Sequence, residues 1–429
     1  MTVGAKTVPP VRNALSDSAP LYPASLLCAA VTIAAAPLYT VRWHYGPLPT
    51  TLLETFILLT LVVFMVETIR AGAGFAWPSP FTLPVLIFLV AGAISVVAAP
   101  DRRAALGLYR AYLIEPIAFF YVIGAVAQTA RRAYVLIAGL WVAGLIVAIP
   151  NAIVVLLAIA HHTLNLAGTP PVVIYLTQNA VALFLLPPIA LAGCILLHGR
   201  AGWERRAAAV FLPIAGAAFL LTFSRGGYLA LLAVAIGLAL SHRRRLMLLA
   251  AGAIVVIAFG LIPPIRHRLG HELNPSDPNN TLVGRSYLWR ATLSMLRHHP
   301  LFGSGLSGFA KDIYPYWGGL GRTDSFIDPH NILLNFWTET GILGVIGFAW
   351  LLYTGFLASW RGWRASVAEW APIHLGVLLA LVGVVVHGLV DVPYFKNDLS
   401  LEFWFLLGLT WAGARWSDRV ATLGAAASR

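Results

Sequence analysis

Charge is what this sequence has least of. Only 11% of its 429 residues are Asp, Glu, Lys or Arg, against 59% apolar, whereas ordinary soluble domains carry about 25% charged residues. That shortfall excludes a soluble globular protein, and the apolar excess excludes disorder, whose signature is the reverse. Cysteine is nearly absent: Cys28 and Cys194 both lie in apolar runs, so neither a disulfide nor a Cys-x-x-Cys metal site is expected. Acidic residues are outnumbered 17 to 29 by Lys and Arg, for a net charge of +12. The cations stand in ones to threes between apolar runs and form no basic face that could track a nucleic-acid backbone, so no nucleic-acid partner is expected. Anionic membrane surfaces and membrane orientation account for the excess. The first twenty residues show no cleavage-site pattern, so the first apolar run is expected to be retained.

What the chain has in abundance is apolar runs of about 20 residues, the length that crosses a bilayer. About twelve are expected, near residues 22–41, 50–68, 81–99, 111–129, 133–160, 173–197, 207–223, 227–241, 246–263, 331–359, 371–392 and 399–416. Lipid leaves only helices or closed barrels, and runs this long are helices. The fold class is therefore all-α and polytopic, a single membrane domain over residues 1–429, with Pro150 expected to kink the fifth span. With a cytoplasmic N-terminus, Arg131–Arg132, Arg200 with Arg205–Arg206, Arg243–Arg245, Arg361 with Arg364, and Arg415 with Arg419 all fall inside. The outer side then keeps one long polar insertion, residues 264–330, too long for a plain connector. Arg102 and Arg103 on that side read as snorkelling anchors.

Three patterns in the second half can carry chemistry. Residues 207–241 would make a helix of roughly 52 Å, too long for one crossing and enough for two short ones. The break is placed at Ser224-Arg225-Gly226-Gly227, which holds Arg225 below the outer surface. A guanidinium there either pairs with a bundle carboxylate such as Asp391 or Glu339, or serves a site. Asp328-Pro329-His330-Asn331 precedes the tenth run. With Asp as N-cap and Pro as first helical residue, His330 is expected in the first turn, where the helix dipole keeps imidazole neutral and also attracts phosphate. A capping histidine is the alternative. The third pattern combines Gly284-Arg285-Ser286-Tyr287-Leu288-Trp289, His299-Pro300-Leu301-Phe302-Gly303-Ser304-Gly305, and the run His330 to Gly344.

Together with Thr222-Phe223-Ser224-Arg225-Gly226, these motifs resemble, in order and spacing from about residue 177 to 400, the bacterial O-antigen ligase and polymerase superfamily. The resemblance implies an inverting, metal-independent GT-C-type glycosyltransferase of the inner membrane, with no cofactor. It would move a glycan from undecaprenyl diphosphate, on the periplasmic side, to a sugar hydroxyl of the lipid A core or to another lipid-linked glycan. Matched to the family motifs, Arg225 is the arginine after the short seventh span, Arg285 the arginine of the Arg-x-x-x-Trp motif, and His330 the loop-end histidine.

Chemistry agrees with those residue types. A diphosphate leaving group gains charge as its glycosidic bond breaks, and arginine forks stabilise that charge without a metal. His330 can take the acceptor hydroxyl's proton or orient the donor phosphate. No Asp-x-Asp pair or His-x-x-x-His run offers a divalent-ion site. Gln178 and Asn179 open the sixth span, where they can bond a donor phosphate, a sugar or another helix. Asn331, Glu339, His387 and Asp391 are expected in support, the last two on one helical face. Glu115 is read as a partner of Arg110, Trp317, Tyr314 and Tyr316 as sugar-stacking or belt aromatics, and Gly341 and Gly344 as close-packing positions. A polymerase of O-antigen, capsule or exopolysaccharide shares donor and mechanism. A lipid-linked glycan transporter would use the same arginines, but would show an internal repeat, which this chain lacks.

Overall fold

The computed structural model describes residues 22–427, apart from 47, 73–78, 166–169, 262–265, 267–269, 271–273, 275–279, 319–325 and 366–368. Helices dominate it. In chain order they are α1 (Pro23–Ala34), α2 (Leu52–Arg70), α3 (Thr82–Ala98), α4 (Arg102–Tyr109), α5 (Glu115–Val126), α6 (Ala130–Ala160), α7 (Gln178–His198), α8 (Trp203–Leu220), α9 (Arg225–Ser241), α10 (Arg245–Gly260), α11 (Thr281–His298), α12 (Phe309–Asp312), α13 (Tyr314–Gly318), α14 (Ile332–Ala365), α15 (Ala371–Gly388) and α16 (Asn397–Ala427). A two-stranded antiparallel hairpin, β1 (Arg42–Tyr45) with β2 (Leu48–Thr51), precedes α2.

A helix meets each of the twelve apolar runs. Among the described residues, six helical segments are long and apolar enough to cross a membrane: α2, α4 through α5, α6, α7, α14 and α15. The protein is thus an all-α, multi-pass helical membrane protein. Helix α2 turns Leu58, Leu59, Val62, Met65, Val66 and Ile69 outward, a continuous apolar face that water would not tolerate and lipid would. By contrast α7 is enclosed by α6, α8, α9 and α15, and nearly all of its apolar side chains are buried.

Three features bear on the sequence reading, each with a physical cause. First, helix α6 carries Pro150, the residue expected to kink it, inside one continuous helix. The neighbouring Asn151 side chain donates to Val147 O (2.7 Å) and Val173 O (3.0 Å) and accepts from Val173 N (2.9 Å), fastening this stretch to the chain entering α7. Second, α14 is interrupted at Gly341, whose φ of 67° and ψ of −175° leave the helical region. The segment after α11 fills the gap: Ile342 N donates to Leu301 O (3.0 Å), Ser304 N to Thr338 O (2.8 Å) and Trp337 Nε1 to Pro300 O (2.8 Å). A Cβ on Gly303 or Gly341 would collide with backbone carbonyls there. Glycine at 341 therefore marks a break, not simple close packing. Gly344 instead makes room for the Thr340 side chain.

Third, the stretch 264–330 is more than a loop. Parts of it lie outside the described residues, but α11 to α13 bury their own apolar cluster of Leu288, Ala291, Met295, Leu296, Phe309, Ile313 and Trp317. Trp317 is buried and meets Phe326 edge-on at 5.1 Å, so it serves as core, neither stacking platform nor belt, while Tyr314 stays exposed. Elsewhere on the same end of the bundle, Arg110 bridges Glu54 (2.6 Å) and Glu115 (3.2 Å) as expected.

Candidate functional site

Four chain segments meet at that end of the bundle, and each arrives for a local reason. Helix α8 stops at Leu220 and α9 starts at Arg225, with the Ser224 hydroxyl accepting from Gly227 N at 3.2 Å as N-cap. The break falls at residues 221–224, just ahead of the glycines expected to form it, so Gly226 and Gly227 lie inside α9 and Arg225 is half-buried in its first turn. Gly226 packs against Val390 and the His387 ring; a Cβ there would stand 2.7 Å from Val390 Cγ2. That contact sets the start of α9 beside the end of α15 and the Asp391 turn after it.

The Arg-x-x-x-Trp motif falls on the second and third turns of α11. Its two side chains, one turn apart, reach the same target from two sides. Trp289 Nε1 donates to Pro329 O at 3.0 Å, gripping the residue before His330. Arg285 Nη2 lies 3.9 Å from Asp391 Oδ2. Burial lowers the Arg285 pKa, and the Asp391 and Asp328 charges only partly oppose that.

His330 departs from its expected place. The helix starts at Ile332, and Asn331 is its cap, with Asn331 Oδ1 accepting from Leu334 N at 3.1 Å. His330 precedes the cap with φ of 48°, a left-handed conformation unusual for a residue with a Cβ. Asp328 does not cap the helix but accepts from His330 N at 2.9 Å, the local Asp turn that competes with helix entry. The His330 ring points Nδ1 at two carboxylates, 3.2 Å from Asp328 Oδ1 and 3.7 Å from Asp391 Oδ1.

This geometry corrects the expectation of a ring held neutral by a helix dipole. Burial works against the charged ring, but contact with Asp391 and the charges of Asp328 and Asp391 outweigh it and raise the His330 pKa. The reciprocal effect acts on Asp391. Burial would raise its carboxyl, yet His330, His387 and Arg285 together hold it well below the usual carboxylate range. With Nδ1–H facing the carboxylates, the neutral ring keeps its lone pair on Nε2.

The supporting residues divide. Asn331 Nδ2 donates to Leu389 O (3.0 Å), tying α14 to the end of α15. His387 is buried behind Gly226, and Asp391 lies past the helix end, where it accepts from Val392 N at 2.9 Å. Glu339 Oε2 instead accepts from Ser307 N at 2.7 Å, so it holds the α14 break in place. Asn179 sits half-buried in the first turn of α7, and no described hydrogen bond or ion pair joins it to the cluster. Two partners lie beyond the sequence reading, which makes Asp328 a cap and names Trp289 only within its motif, although Asp-x-His spacing is a signal for a carboxylate beside imidazole. Among the described residues, no group of three or more His, Cys, Asp or Glu is placed to hold a metal ion.

Residues 208–349 match a family model described as O-antigen ligase. The matched stretch includes Arg225, Arg285, Asp328 and His330, and stops before His387 and Asp391. No curated protein matches the chain.

Proposed function

We propose that this chain, a membrane enzyme of the O-antigen ligase and polymerase superfamily, moves a glycan from undecaprenyl diphosphate to a sugar hydroxyl of the lipid A core on the periplasmic side. The observation that carries the reading is the meeting of His330 and Arg285 on one carboxylate, Asp391, next to the helix that starts at Arg225. Phosphate-binding and proton-accepting groups are thereby adjacent, as displacement at a glycosyl diphosphate requires.

In the proposed reaction Arg225 and Arg285 bind the diphosphate oxygens. Neutral His330, oriented through Nδ1 by Asp328 and Asp391, takes the acceptor hydroxyl proton on Nε2. The acceptor oxygen attacks the anomeric carbon from the face opposite the diphosphate, giving inversion. The electron pair of the breaking C–O bond moves onto the diphosphate, where the arginines stabilise it. Two guanidinium groups supply the charge a divalent ion would otherwise provide, which is the basis for a metal-independent mechanism. We read the twelve helices as twelve crossings of a GT-C-type bundle with both termini in the cytoplasm and the site facing the periplasm, as the basic short loops require.

Reconstitution tests the reading. Purified protein in proteoliposomes, supplied with an undecaprenyl-diphosphate glycan, should glycosylate added lipid A core and release undecaprenyl diphosphate. Polymer formed from the donor alone would identify a polymerase instead, and donor crossing the bilayer without transfer would identify a transporter.

A further inference from the structure

A cleft of about 450 Å³ opens at the same end of the bundle, where α6 finishes. Its inner wall is apolar, made by Val154, Leu157 and Ala158, and its rim is polar, made by His161, Thr163 and Asn165. Pro171 closes the opposite side, held there by the Asn151 hydrogen bonds to Val173 nearby. The volume lies at the lower end of the ~300–1,000 Å³ usual for ligand sites, so it suits part of a long lipid, not all of it.

The position of the cleft gives it a direction relative to the reacting groups. Next to its wall, Val155 packs against Phe223, with Val154, Leu164 and Leu221 around them. Phe223 precedes Arg225 by two residues, so their backbones are at most about 7 Å apart. On the far side of Arg225, Gly226 abuts His387 and Val390, and the Asp391 cluster follows. A chain of contacts therefore links the cleft through Phe223 and the Arg225 turn to Asp391 and His330. A lipid diphosphate carries its glycan at one end and its lipid at the other. If the glycan's anomeric carbon faces His330, the lipid end must leave Arg225 towards Phe223 and the cleft.

We infer that the cleft between the end of α6 and Phe223 seats the first isoprenoid units of the lipid-diphosphate donor, so that the protein reads the lipid as well as the diphosphate. This rests on the proposed transfer reaction. The apolar wall matches branched hydrocarbon, and the polar rim matches the level at which a bilayer gives way to headgroups.

Two measurements on the full-length protein in nanodiscs test it. Leu157 is 51% exposed at the cleft, so Leu157→Trp fills the space without displacing core. KM for an undecaprenyl-diphosphate glycan should rise about tenfold with kcat unchanged, while KM for the same glycan diphosphate ending in an ethyl group should stay within about twofold. An equal rise for both donors, or no rise for either, overturns the inference, the latter marking a cleft filled by bulk membrane lipid. The second measurement needs no turnover: an undecaprenyl diphosphate carrying a diazirine in its first isoprenoid unit should crosslink to residues 154–165. Crosslinks confined to other segments overturn the inference even if transfer is active. Failure of the wild type to transfer from either donor, with the crosslink present, counts against the proposed reaction and not against the cleft.

Discussion

Asp391 is the residue on which the proposed reaction turns, because its two oxygens face an arginine and a histidine to which that reaction gives different work. Base catalysis needs a neutral His330, whose pKa is raised from the ordinary 6.5. Activity should therefore climb with pH through a midpoint above that value. Asp391→Asn removes a cause of the upward displacement, so the midpoint should move down while the plateau rate falls, as measured by kcat against pH. A midpoint that stays in place would show that Asp391 does not act on the base. The arginines differ in kind: lysine cannot copy a planar fork on diphosphate. Arg225→Lys or Arg285→Lys should each cost on the order of 10²-fold in kcat, the magnitude of losing one transition-state donor, with normal insertion and expression. Near-normal turnover of either variant would take that arginine out of the reaction. His330, Arg225 and Arg285 stood out in the sequence because motif order marks them. The state of His330 did not, since the decisive carboxylate on Asp391 comes from a turn distant in sequence.

At the scale of elements, the apolar runs revealed where the helices lie, because each must satisfy its own backbone in lipid. They could not reveal the break in α14, since the run 331–359 reads as one apolar span while the dihedrals at Gly341 leave the helical region. Nor could they reveal α11, a helix that exposes Arg290 and Arg297, turns Arg285 inward and counts as polar among apolar runs. The His299–Gly305 motif also changes meaning here: it is the segment that fills the α14 break and positions Trp337 and Thr338. Gly341→Ala puts a Cβ on a backbone at φ 67° and ψ −175°, a region kept essentially for glycine, costing about 1–3 kcal/mol before the collision with Leu301 O is counted. Thermal unfolding in detergent should show a lower Tm for Gly341→Ala than for Gly216→Ala, a position where a Cβ meets nothing within 4 Å. Equal melting temperatures would mean that the break relaxes freely.

For the whole molecule, the alternation of the runs and the contacts of the structure agree about which ends belong together. Arg285, His330, Asp391, the α8–α9 turn and the end of α6 gather at one end. At the other, Arg200 pairs with Glu369 at 3.1 Å, Tyr134 donates to Glu369 O, and His198 meets Ser241. Contacts alone cannot orient this sorted bundle across a membrane, but charge can. Arg131, Arg132, Arg205 and Arg206 in first helical turns and Arg243 to Arg245 at the α9–α10 connection cluster at the second end, the end that the positive-inside rule places in the cytoplasm in the proposed topology. The prediction follows from the exposure of two positions. Ile327, 75% exposed beside the site, replaced by cysteine in a Cys28→Ser, Cys194→Ser background, should react with a membrane-impermeant maleimide added to intact spheroplasts. Arg243→Cys should react only after the membrane is opened. The reverse labelling would turn the bundle over, and a donor glycan presented on the periplasmic face could then no longer reach His330.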